Sequence, residues 1–205
     1  VLHEIRGGTF LDEEVAWDST DTVCKILGRS LNAVTDKVTV EWFESLSVFP
    51  EDVIIPVQTV IVLWSELKGL TTRRCHKINA VLDKLNIIEC IEVENERCIR
   101  LHDVIRLHAI KTAEEKHGGS LQSQHETLVA GYSKQTQGDW SKGVQDGYFF
   151  RYLPYHMLEA GRRDDVTSVL TDLSFIHARM ESLGTALLHT HLRDTIDALR
   201  RTDCA

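Results

Sequence analysis

Between residues 72 and 101 the hydrophobic period of the chain changes once, from helical to alternating. Ile78, Val81, Leu82 and Leu85 fall on one helical stripe, after Thr71-Thr72 as capping residues. Ile87–Val93 then partly alternates, Glu94-Asn95-Glu96 reads as a turn, and Arg97–Leu101 reads as a second strand. An amphipathic helix that runs directly into a short hairpin must bury both apolar faces against something else. The partner has to come from the helices on either side.

Those helices are legible. Asp18-Ser19-Thr20-Asp21 is a cluster of N-cap residues, followed by Val23, Ile26, Leu27, Leu31 and Val34 at helical spacing. Asp36 caps a second helix with Val40, Phe43, Leu46 and Val48 as its apolar set, closed by Pro50. Pro56 is placed as the first residue of a third. Val57, Val60, Ile61, Val62, Leu63, Trp64 and Leu67 make that helix apolar nearly all round, which puts it at the centre of a core. Gly69 ends it. Helix, helix, short turn, helix and hairpin in this order is the layout of a winged helix, with the hairpin as its wing. A further helix is expected around Asp103–Lys116.

Gly118-Gly119-Ser120 marks a linker. Beyond it the pattern is helical: one helix near Leu121–Ser133, then shorter ones over Tyr148–Glu159, Asp164–Leu170, Leu173–Leu183 and Thr185–Arg200, with joints at Gly161 and Gly184. The expected fold is therefore mainly α, a winged helix followed by an α-helical, solenoid-like domain. The expected divisions are a leader or remnant of an upstream domain at 1–17, a winged helix at 18–117 and a helical domain at 118–205.

Composition excludes several functions. The formal net charge is −8, which opposes non-specific attraction to nucleic acid or an anionic membrane. No apolar run approaches the ~20 residues that a membrane span needs, and no signal peptide is visible. A chain that starts at Val1 without methionine reads as part of something longer. Five cysteines at irregular spacing, with no CxxC, point to neither a zinc ribbon nor a redox motif, and suggest reduced thiols. Cys90 and Cys98 flank the hairpin turn and are expected to be half-buried and reduced. His189 and His191 are two apart, which on a helix does not bring side chains together. These and His125 are read as solvated, with no metal site. No nucleophile elbow or His-Glu-x-x-His helix occurs, so no catalytic residues are assigned. Tyr148, Tyr152 and Tyr155 share one helical face and read as core.

Three stretches carry a resemblance: Ser45–Trp64 (SLSVFPEDVIIPVQTVIVLW), Ile78–Glu89 (INAVLDKLNIIE) and Arg100–Ala109 (RLHDVIRLHA). They resemble the winged helix of the NB-ARC branch of the signal-transduction ATPases with numerous domains, in its apoptotic, apoptosome-forming members. Tyr148–Gly184 is similar to the helical domain that follows the winged helix in that family. The resemblance implies a nucleotide-controlled switch. A phosphate-loop domain and a small helical domain precede the winged helix, and ADP is buried among the three. The histidine of a (Met/Leu)-His-Asp motif contacts the β-phosphate. That role carries over to His102 in Leu101-His102-Asp103, with Asp103 supporting the backbone there. Exchange to ATP releases the winged helix, and opened protomers assemble into a ring. The implied partners are an upstream nucleotide-binding domain, sensor repeats or other proteins, and further copies of the same protein, in the cytoplasm.

Two family features are missing. No G-x-x-x-x-G-K-[ST] loop occurs, and Gly7-Gly8-Thr9 lacks the proline of the family's Gly-x-Pro motif. ADP or ATP is therefore expected in the full-length parent and not on this chain alone, which is not expected to be an enzyme.

The alternative reading is a winged-helix transcriptional regulator that binds DNA through Arg73, Arg74, Lys77 and Lys84 on the helix before the hairpin. Charge opposes it. Residues 36–103 hold eight Lys/Arg against 12 Asp/Glu, and the wing itself carries Glu89, Glu92, Glu94 and Glu96.

Overall fold

The computed structural model describes residues 37–117 and 121–203. The leader, the helix expected over 18–34, the cap at Asp36, the Gly118–Ser120 linker, Cys24 and Cys204 lie outside the described residues.

Helix α1 spans Lys37–Ser45 and runs into a single 3-10 turn, Leu46–Val48, ahead of Pro50. Trp42, Phe43, Leu46 and Val48 are buried. Strand β1 is Ile55–Pro56, and helix α2 is Val57–Lys68. Pro56 is thus the residue before the helix rather than its first turn, because its backbone is extended and pairs with a strand. As its composition requires, α2 buries Val57, Val60, Ile61, Val62, Leu63 and Trp64. The Trp64 indole Nε1 donates to Ser45 Oγ at 2.8 Å, and Ser45 Oγ donates to the Trp42 carbonyl at 2.7 Å. This short polar chain pins α1 onto α2. Gly69 ends α2 in the left-handed region (φ 65°), and its N–H bonds the Ser65 carbonyl.

Helix α3 spans Thr72–Lys84, and the hairpin is β2 (Glu89–Val93) with β3 (Glu96–Arg100). Glu96 belongs to the strand and not to the turn. The turn is only Glu94-Asn95, both at positive φ (52° and 66°), the two-residue form whose twist suits a hairpin. The sheet has three strands in the order β1-β3-β2, all antiparallel. Strand β1 is invisible in the sequence pattern, since two residues carry no period and one is a proline. Register places Cys90 opposite Ile99 and Cys98 opposite Ile91, so the two thiols face opposite sides of the sheet. Cys98 is buried as a free thiol, whereas Cys90 is exposed rather than half-buried.

Helix α4 covers Asp103–His117 and α5 covers Gln122–Thr136. A 3-10 turn (Trp140–Lys142) leads to α6 (Phe149–Glu159), α7 (Arg163–Thr171) and α8 (Leu173–Asp203). Helix α8 is broken at Gly184 (φ 72°, ψ 159°), which preserves the joint expected between two helices. The Asp146 carboxylate opens α6 by accepting from the N–H groups of Tyr148 (2.9 Å) and Phe149 (2.8 Å).

One hydrophobic core runs through both halves, from Trp42 to Ala178. The contact that joins them is α2 against α5. A Cβ at Gly131 would lie 2.6 Å from Val62 Cγ1, so only glycine lets the two helices approach this closely. Beside it, Tyr132 Oη donates to Thr59 Oγ1 at 3.0 Å. None of the described helices is long and apolar enough to cross a membrane.

Candidate functional site at the end of the wing

Strand β3 delivers Leu101-His102-Asp103 to the start of α4. Leu101 (5% exposed) and Ile105 (7%) point into the core and fix the chain on both sides of the histidine. The strand before it is tied by Arg100, whose Nε and Nη2 donate to Glu89 Oε2 at 3.0 and 2.6 Å. One turn into α4, the Arg106 N–H bonds the His102 carbonyl at 2.9 Å, and Arg106 Nε donates to the Phe49 carbonyl at 2.5 Å. The His102 backbone is therefore held by sheet, core and helix together.

The His102 and Asp103 side chains are both exposed. Among the described residues no side chain or backbone group hydrogen-bonds the His102 ring. The ring stands next to the positive end of a 15-residue helix, where the first N–H groups favour an anion. Asp103 is the acidic residue of that first turn. An imidazole and a helix start at one point suit a phosphate oxygen, and nothing among the described residues occludes the ring.

The residues of the alternative reading also lie at the surface. Arg73, Arg74, Lys77 and Lys84 are all exposed on α3. On the wing beside them, Glu92, Glu94 and Glu96 are exposed, and Glu89 is paired with Arg100. Phosphates approaching the helix would meet these carboxylates.

Of the histidines read as solvated, His125 departs from expectation. His125 is 2% exposed and His156 is fully buried, so neither is solvated. Their Nδ1 atoms face each other at 2.9 Å, and the Tyr148 hydroxyl lies 2.8 Å from His156 Nε2. The Phe49 ring packs edge-on against both Tyr148 and His156. This buried chain of rings links α5, α6 and the segment after α1. Desolvation lowers the pKa of His125 to about 4, and that of His156 well below its ordinary value. Helical spacing sets His125 on the stripe of Leu128, Val129 and Tyr132, but its closure from water depends on where α6 packs. His191 accepts from Arg151 Nε at 2.9 Å, while His189 is exposed. Among the described residues no three His, Cys, Asp or Glu side chains gather as a metal site. Tyr148 is buried as expected and Tyr152 is half-buried, with ring centroids 4.7 Å apart.

The profile of the APAF-1 helical domain matches residues 121–205. Full-chain comparison extends the likeness across the winged helix. Apoptotic protease-activating factor 1 of Rattus norvegicus is 26% identical over 167 residues, 80% of this chain and 13% of that protein. The Homo sapiens protein is 22% identical over the same length, and that of Danio rerio 25% over 158 residues, 72% of this chain and 11% of that protein. The chain is thus similar to the apoptotic protease-activating factors over both its winged-helix and its helical part. It spans about an eighth of the length of the curated relatives it matches. In this Apaf-1-like chain, α5 to α8 fall within the matched helical domain, and the hairpin with α1 to α4 precedes it. Residues 7–9, which the sequence compares with a Gly-x-Pro motif, lie outside the described residues.

Proposed function

We propose that this chain is the winged-helix and helical-arm part of a nucleotide-switched, oligomerising signalling scaffold of the apoptosome kind. In this reading His102 donates a hydrogen bond to a phosphate of ADP that an upstream phosphate-loop domain holds, and Asp103 supports the backbone at that point. The helical domain serves as an arm toward sensor repeats or other proteins.

The observation that carries the reading is the combination at His102. Its backbone is held from three sides, while its imidazole is exposed, unpartnered and beside a helix start. A histidine kept for packing would be turned inward, as His125 and His156 are. This chain has no phosphate loop, so His102 supplies one contact to the nucleotide and the remainder come from another domain. A contact made in one state only is what biases a two-state equilibrium. The acidic wing and the net charge of −8 weigh against DNA as the alternative ligand.

The test is ADP release from the full-length parent carrying His102→Ala. Loss of one hydrogen bond to a charged oxygen should accelerate release by roughly tenfold or more. Release at the wild-type rate would remove His102 from the nucleotide site.

A further inference from the structure

A second cleft lies on the winged helix, away from His102. It is a cavity of about 320 Å³ between α3 and the hairpin, with Val57, Ile91 and Cys98 among its apolar walls. Asn79 of α3 lines it and is only 4% exposed. Both polar atoms of its side chain, Oδ1 and Nδ2, are buried and have no hydrogen-bond partner among the described residues. A carboxamide left unpaired in this way is costly, because a buried acceptor and a buried donor both lose water and gain nothing. Helix positions facing a core are ordinarily apolar, as Cys75, Ile78 and Leu82 are on the same helix.

Strand β2 forms the other side of the cleft and is an edge of the sheet. The two-residue turn makes Val93 and Glu96 a hydrogen-bonded pair, so the inward pairs alternate as 93–96, 91–98 and 89–100. The backbone groups of Cys90 and Glu92 therefore point outward. One of them shows it directly: the Cys90 N–H donates to Asp83 Oδ1 of α3 at 3.0 Å. The Cys90 carbonyl and both backbone groups of Glu92 face away from the sheet beside the same cavity.

We propose that this cleft binds a short extended peptide, whose backbone pairs with the outward edge of β2 and with the Asn79 carboxamide. A peptide group offers one donor and one acceptor side by side, the complement of both a carboxamide and a strand edge. A flat heterocycle would satisfy Asn79 and leave the strand edge unpaired. The Asp83 and Glu92 carboxylates stand at the rim, and Arg97 sits across the hairpin from Glu92. A lysine in the peptide at the position facing Glu92 and Asp83 completes the match. The site is separate from His102 and does not depend on the nucleotide reading.

The experiment titrates the 205-residue chain with acetyl-Val-Lys-Val-amide and follows backbone and side-chain amide resonances. Expected are saturable shifts at the Asn79 side-chain amide and at Cys90 and Glu92. Asn79→Leu, checked for an unchanged fold by its melting curve, should weaken binding about tenfold. The same peptide methylated on its central amide nitrogen should fail to saturate, which tests the edge without altering the protein. Equal binding by either control, or no saturable shift up to millimolar peptide, overturns the proposal. Saturation by adenosine at the Asn79 resonance would overturn it in favour of a nucleoside site.

Discussion

Arg179 sits on α8 at 1% exposure, and its Nε, Nη1 and Nη2 have no hydrogen-bond partner among the described residues. Desolvation lowers its pKa to about 10, so at neutral pH it is a buried cation without a counter-ion among the described residues. Its charge is felt by His191, whose pKa falls first through burial and then through Arg151 and Arg179. A methionine would keep the length and the apolar stem while removing the unpaired guanidinium. Even a buried ion pair replaced by apolar residues of similar volume is often neutral or stabilising by about 1–4 kcal/mol, and an unpaired charge lacks the Coulombic gain that offsets its desolvation. Arg179→Met should therefore raise the urea midpoint at neutral pH, and a lower midpoint would show that the guanidinium makes a stabilising contact. Helical spacing places Arg179 on the same face as Phe175, Ala178 and Leu183, but a charged residue on that face is sealed from water only once the neighbouring helices cover it.

At the scale of elements, α5 and α6 are joined by the Tyr148–His156–His125 chain. The two facing Nδ1 atoms share one hydrogen bond, which requires one of them to be bare. Protonating both rings breaks it and adds charge to a buried site near Arg106, which already lowers the His125 pKa after burial does. The folded pKa values of both histidines lie below that of an unfolded chain, about 6.5. The unfolded chain then binds protons that the folded chain refuses. Stability is complete above pH ~7 and falls as the pH drops from there toward 4, with His125 alone costing about 2 kcal/mol at pH 5. Denaturant unfolding at pH 7.5 and pH 5 checks the loss. In His125→Asn, which keeps a hydrogen-bonding side chain without the titration, the difference between the two should shrink. An unchanged difference would place the acid sensitivity elsewhere.

At the scale of the molecule, the winged helix and the helical domain are not independent bodies. Helix α2 is buried on nearly every side because the hairpin half covers one face and α5 another. Gly131 is the position where this shared core is tightest. Gly131→Ala would gain helix propensity but drive a methyl into Val62 Cγ1, a β-branched group with little freedom to turn away. The overpacking should dominate, lowering stability by about 1–3 kcal/mol. Hydrogen exchange should report that loss in both halves together, for example at α2 and at α6. Protection lost in α5 to α8 alone would mean that the halves unfold separately.

What the sequence determines here follows from local periods. The all-round apolar run after Pro56 makes a central helix in any environment. The change from helical stripe to alternation makes a helix followed by a hairpin. Gly69, Gly161 and Gly184 mark where helices end, because only glycine takes those backbone angles without strain. Leu101-His102-Asp103 lies where one period stops and the next begins, but the period gives only its place in the fold, and the role proposed for His102 comes from the family resemblance. Other features exist only once the halves are packed. Strand β1 has two residues and no pattern, and becomes a strand because β3 offers it an edge. His125, His156 and Arg179 lie on the apolar stripes of their helices by spacing, but whether a polar side chain there meets water depends on which distant helix covers it. Asn79 is the same case: its place on α3 is set by helical spacing, but its missing partner is set by how the hairpin folds back over the helix.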